Sequence, residues 1–175
     1  AAIAVRLEGV DRYQDMSFKI QLPSSNKHNF ALFGLGGRSG IDAEDEEEGV
    51  VTGKFKGRYG LGVIGLSHTY QLNDAIYVKS SVAATGSDNS YNYAIPDDNN
   101  QFYAIEDGKI SKSSLIGTTT FNYKLNTRHK IESGIILTQL HYNIRADEWD
   151  FEKKLVANEV SEKGTSSTFQ AFASW

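Results

Sequence analysis

The chain has no cysteine, two prolines and one methionine, and none of its apolar runs approaches the length of a membrane-spanning helix. Each absence excludes something. Without thiols there are no disulfide staples and no thiolate metal sites. A spanning helix needs about 18–20 consecutive apolar residues, so a helical membrane protein is excluded. Basic residues do not dominate: 18 Lys and Arg stand against 22 Asp and Glu, a net charge of −4. Binding nucleic-acid phosphate needs a clustered basic surface, so no nucleic-acid partner is expected. Signal peptide and initiator Met are also missing, and Ala1 reads as a processed N-terminus or the cut edge of a larger protein.

What is present is glycine and aromatic residues: 16 Gly, 9 Tyr and 9 Phe in 175 residues. Apolar side chains recur at spacing two rather than three and four, which is the period of strands. "MSFKIQL" sets Met16, Phe18, Ile20 and Leu22 on one face against Ser17, Lys19 and Gln21 on the other. Further strands are expected over 29–36, 54–72, 75–86, 113–125, 129–142 and the C-terminal "SSTFQAFASW", with one more in "AAIAVRLEGV". In 75–86, Ile76, Val78 and Val82 oppose Tyr77, Lys79 and Ser81. The phase around Val63 and Ile64 is blurred, because either parity there is apolar.

Short turns at 23–28, 73–74 and 126–128 alternate with long polar stretches at about 37–53, 87–112 and 143–165, which are expected to be loops. In an up-and-down meander, alternate connections lie at opposite ends of the sheet. The short turns therefore share one end and the long connections the other, as in outer-membrane barrels. The charges agree with that reading. Lys19, Lys79, Lys124 and Glu132 fall opposite the apolar face, where a lumen can hold them and lipid need not. Tyr59, Tyr70, Tyr77, Tyr123, Tyr142 and Trp175 lie towards strand ends, as interfacial belts require. Six of the seven residues from 42 to 48 are acidic, and without them the rest of the chain carries +2. Such a run belongs in water beyond the membrane. The fold class expected is thus an all-β, antiparallel up-and-down transmembrane barrel of seven or eight strands, and the lipid of an outer membrane is its first partner.

Candidate sites are few. His28, His68, His129 and His141 have no metal-ligand spacing, and the serines have no nucleophile-elbow motif, so no catalytic, metal or cofactor residue is assigned. The acidic run at 42–48 and "PDDNNQ" at 96–101 offer oxygens to Ca²⁺ but lack the order of a calcium loop; a solvated connection explains both. "YNYAIPDDNNQFY" at 91–103 mixes aromatics with amides and acids, a combination able to stack on sugars. Glycines in "LFGLGGRSG" and "GRYGLGVIG" precede no helix signal, so they are not phosphate loops; they suit bends or close aromatic packing in curved sheet.

"YQDMSFKIQLP" with "NKHNFALFGLGG" resembles a strand pair of bacterial TonB-dependent outer-membrane receptors, especially the Bacteroidetes SusC-like and carboxypeptidase-regulatory-domain type. "GVIGLSHTYQLNDAIYVKSSVAATGSDNSY", "FNYKLNTRHKIESGIILTQLHYNI" and "STFQAFASW" resemble the hairpins that follow. The resemblance implies a barrel of about 22 strands with an N-terminal plug, nutrient uptake powered by TonB, and a surface lipoprotein as a further partner. No plug and no TonB box occur in this sequence, so the resemblance implies one domain that is part of a larger barrel, with no reaction of its own. A self-contained eight-stranded outer-membrane barrel with an adhesive or envelope-structural role is the alternative, and a soluble β-sandwich binding module a third.

Overall fold

The computed structural model describes residues 6–22, 25–150 and 155–175, the side chains of 6–10 excepted. Seven strands follow one another: β1 (Arg6–Leu22), β2 (His28–Glu47), β3 (Val50–Gln71), β4 (Ile76–Pro96), β5 (Phe102–Lys124), β6 (Lys130–Asp150) and β7 (Leu155–Ser174). They form one antiparallel sheet in the order of the sequence. The sheet is open, since β1 pairs only with β2 and β7 only with β6. The N-terminal strand expected within the first ten residues is the start of β1; residues 1–5 lie outside the described residues.

Among the described residues, nothing covers either face. Ala31 alone among the described hydrophobic residues is buried, while Met16 is 69% and Phe169 67% exposed. A compact 19.4 kDa monomer presents about 8,500 Å² to solvent, whereas this chain presents 12762 Å². A lone sheet with two open faces and two open edges has no interior of its own to stabilise it. Its surroundings must supply one.

The polar stretches expected to be loops are strands. Residues 42–47 of the acidic run continue β2, and most of 87–112 and 143–165 lies in β4–β5 and β6–β7. Polarity was read as irregularity, but a sheet wet on both faces holds when opposite charges and hydroxyls meet across it. Glu44 and Lys54 stand opposite each other with an ion pair at 3.0 Å. Ser111 donates to its partner Asp88 at 2.7 Å, and Asn158 donates to its partner Asp147 at 2.5 Å. The long connections are therefore hairpins that project past the apolar zone.

The two tips among the described residues are tight. Glu48 and Gly49, with φ of 52° and 83°, make the two-residue turn between β2 and β3, in the left-handed region that type I′ hairpins require. Asp97 closes the β4–β5 tip by accepting from the amides of Asn99 and Gln101 at 2.9 and 2.8 Å. The same device closes two turns at the other end: Asn73 accepts from Ala75 and Ile76, and Asn126 from Arg128 and His129. Each projecting hairpin carries one register shift near its tip, at 45/46, 93/94 and 146/147. Pairings β1–β2, β3–β4 and β5–β6 have none.

Aromatic rings lie over glycines directly opposite them. Phe18 covers Gly34, Phe33 covers Gly65, Tyr91 covers Gly108, Tyr142 covers Gly164 and Phe172 covers Gly134, each in register. A side chain on any of these glycines would occupy the ring's place, which is why a strand protein keeps so many.

Candidate functional site: an apolar belt, and a polar wall above it

Residues that face each other in register share a side of the sheet, so the pairing assigns every described strand residue to one of two faces. One face carries Phe18, Ile20, Leu32, Leu66, Val82 and Leu137 in the half next to the short turns. Ile64 joins this face and Val63 the other, which resolves the blurred phase. On β3 the belt runs from Gly62 to Tyr70. At ~3.3 Å per residue and ~40° of tilt it rises about 20 Å. That approaches the apolar height of about 25 Å that spans an outer membrane. The top of the belt slides from Met16 on β1 to Phe169 on β7, a four-residue offset in register, as tilted strands demand.

Several polar groups of the belt have partners on the belt itself. Ser80 and Thr119 hydrogen-bond to each other at 3.1 Å, which removes the cost of bare hydroxyls in lipid. At the short-turn edge His28 Nδ1 lies 3.0 Å from His68 Nε2. Their rings stack with Tyr70 and Phe30 at 4.7 and 4.3 Å, and His129 stacks on Trp175 at 5.1 Å. This is an amphipathic aromatic rim of the interfacial kind. It holds Tyr70, Tyr123 and Trp175 as expected. Tyr59, Tyr77 and Tyr142, assigned to the same belt from sequence, instead face the other way. Their proximity to strand ends was a poorer guide than their parity.

Lys19, Lys79, Lys124 and Glu132 lie on the opposite, inner face, as their alternation predicted. Near the short turns this face is rich in small polar side chains such as Ser67, Ser81, Thr118 and Thr120, with Ser81 and Thr118 bonded at 2.7 Å. Further up, the inner face carries Tyr13, Tyr59, Tyr91, Tyr93 and Tyr142. Tyr13, Ser39, Tyr59, Leu61, Ser87 and Asn89 line an open hollow there of about 380 Å³. Tyr93 donates to Asp45 at 2.9 Å, and that bond raises the phenol's pKa above its usual value. The sequence signal for this row was present but overlooked: tyrosines at strand parity, four of the five opposite glycine or a small polar residue.

Above the belt the outer face is charged. Arg58 donates to Asp42 at 2.6 Å, Lys109 lies 3.5 Å from Asp88, and Arg145 is 2.6 Å from Asp147. The bond from Ser111 holds the Asp88 carboxyl below its usual range, and those from Asn158 and Arg145 do the same for Asp147. The calcium candidates serve the fold. Asp42 and Glu44 pair with residues of the adjacent β3, Asp45 accepts from Tyr93 of β4, and Asp97 accepts from its own turn. No group of three or more metal-ligating side chains occurs among the described residues.

No protein-family model matches the chain, and no curated protein matches it. Among solved structures it is similar to the ferric yersiniabactin uptake receptor FyuA from Yersinia pestis. The TM-score is 0.66 and the identity 12%, over 97% of this chain and 25% of that one. The chain therefore spans about a quarter of the length of that receptor. At this identity the likeness is one of fold: seven consecutive antiparallel strands that fit a segment of a β-barrel receptor.

Proposed function

We propose that the chain is a wall segment of an outer-membrane receptor barrel that takes up a bulky nutrient. The observation that carries this reading is the belt. A single-layer sheet with almost nothing buried exposes a continuous apolar zone about 20 Å tall on one face, and the other face of the same residues is hydroxylic and charged. Lipid on one side and an enclosed polar lumen on the other satisfy both faces together. The fold neighbour, itself an uptake receptor, supports the same assignment.

In this reading the edges of β1 and β7 pair with further strands of a larger barrel of the TonB-dependent kind, and TonB supplies the energy. The Bacteroidetes SusC-like type, with its surface lipoprotein partner, rests on sequence resemblance. The segment carries out no reaction of its own. Its inner tyrosine row, well above the belt, offers flat rings and hydroxyls to an oligosaccharide, a peptide or a metal chelate entering from outside. Fractionation of cells expressing the full-length protein tests the proposal. It is expected in the outer-membrane fraction, released by detergent and not by alkaline carbonate. Recovery in the aqueous fraction would refute it.

A further inference from the structure

Just above the belt, on the outer face of β1–β3, Arg12, Arg38 and Arg58 surround Gly40 and line a cleft of about 520 Å³ with Gln14 and Asp42. Gly40 is buried beneath the Arg58 side chain, so the cleft's floor is backbone. Asp42 is engaged by Arg58 at 2.6 Å. Arg12 and Arg38 make no ion pair with the described residues, which leaves two guanidinium groups turned to the outside. The cleft adjoins a second hollow of about 620 Å³, bounded by Met16, Arg38 and Asp88, the last engaged by Lys109 and Ser111, and floored by Gly36, Gly60 and Gly86. Along β2, Arg38 lies two residues beyond Gly36 at the top of the belt, a rise of about 5 Å. Two features thus meet: an apolar surface that accepts acyl chains, and an arginine pair with no ion partner among the described residues, at headgroup height.

We infer that this β1–β3 cleft binds the phosphate of an anionic membrane lipid whose acyl chains lie along the belt. The inference rests on the membrane-wall reading above and adds the class of lipid to it. Guanidinium groups suit phosphate because their N–H forks match its oxygens. The rings and aliphatic side chains below offer the tails a continuous path. Surface charge alone does not account for the arrangement. Lys109, Arg145 and Lys163 line a comparable hollow of about 540 Å³ on the outer face of β5–β7. There, however, Lys163 lies six residues above Phe169, the top of the belt on β7, a rise of about 15 Å. That hollow is out of reach of a headgroup phosphate and serves as an internal control.

The full-length protein is reconstituted first in nanodiscs of phosphatidylcholine alone, then in discs with a minor fraction of phosphatidylglycerol. Retained lipid is counted by native mass spectrometry. Failure to enter the neutral discs would overturn the membrane reading itself, separately from the lipid proposal. Given insertion, Arg12→Gln/Arg38→Gln/Arg58→Gln is expected to retain about tenfold less phosphatidylglycerol. Lys109→Gln/Lys163→Gln should retain the wild-type amount, and the triple Arg→Lys variant most of it, which keeps the test valid should the Gln variant misfold. Unchanged retention in the triple Gln variant, or equal loss in both Gln variants, would overturn the proposal. So would displacement of the lipid by inorganic phosphate, since the site would then be one for a free anion.

Discussion

Leu66 and Ser67 are neighbours in β3 and belong to opposite faces, so one charge introduced at each separates the two environments. Leu66 pairs with Leu32 and Val82 on the belt, and Ser67 with Ala31 and Ser81 on the inner face. Leu66 lies four residues from both Gly62 and Tyr70, about 10 Å of rise from either edge of the belt. An arginine at that depth on a lipid face costs about 2–4 kcal/mol, falling to about 0–1 at the interface. Leu66→Arg should therefore shift the folding equilibrium of the full-length barrel by about 30- to 1000-fold. Tyr70→Arg, at the rim, should shift it less than about fivefold. Ser67→Arg enters a polar neighbourhood and should also cost little. Guanidinium unfolding in lipid bilayers, followed by tryptophan fluorescence, reads all three. If Ser67→Arg were as costly as Leu66→Arg, or Tyr70→Arg costlier than Leu66→Arg, the assignment of faces would fail.

Three further outcomes can be measured on the same protein. Gly108→Val and Gly164→Val displace the rings of Tyr91 and Tyr142 and should each cost about 1–3 kcal/mol in the same unfolding assay; variants as stable as wild type would show that ring and glycine do not meet. Gly49→Ala strains a residue at φ 83° and should destabilise the β2–β3 tip by about 1 kcal/mol, seen as faster amide exchange at Glu47 and Val50 with the belt unaffected. Acid should loosen the outer wall before the belt. The Asp88 and Asp147 carboxyls titrate below the ordinary value of 3.8, so their stabilisation is complete above that value and lost as pH falls through the lower folded-state pKa. Amides near Ser111 and Asn158 should exchange faster below about pH 4, once intrinsic rates are corrected; unchanged protection there would refute it.

On the membrane-wall reading, the belt was legible in the sequence because lipid imposes a simple rule. One parity must be apolar, and Met16–Leu22 or Ile131–Leu137 can be read residue by residue. Above the belt that rule lapses. Asp42, Lys56, Asn92 and Asp107 form one row across β2–β5, and nothing in their hydropathy separates a ladder from a loop. Their order comes from cross-strand partners far apart in sequence. Tyr93 and Asp45 are 48 residues apart, and no local window holds both. The same gap hid the inner tyrosine row and the arginine cleft. Arg12, Arg38 and Arg58 are dispersed over three strands, and only the register brings them to one outward face.

The register shifts follow from the same contrast of solvents. Lipid offers no partner for an unpaired amide, so a bulge within the belt would leave a polar group in hydrocarbon at a cost of several kcal/mol. In water the unpaired group finds a partner at once. All three shifts lie in the wetted hairpins, and pairing through the belt is unbroken from β1 to β7. Register breaks only in the polar upper hairpins and is unbroken through every row of the belt, as the membrane-wall reading requires. Bulge placement thus agrees with the belt that hydropathy parity marks from Gly62 to Tyr70 on β3, since the one shift on that strand lies beyond it, at Gly53.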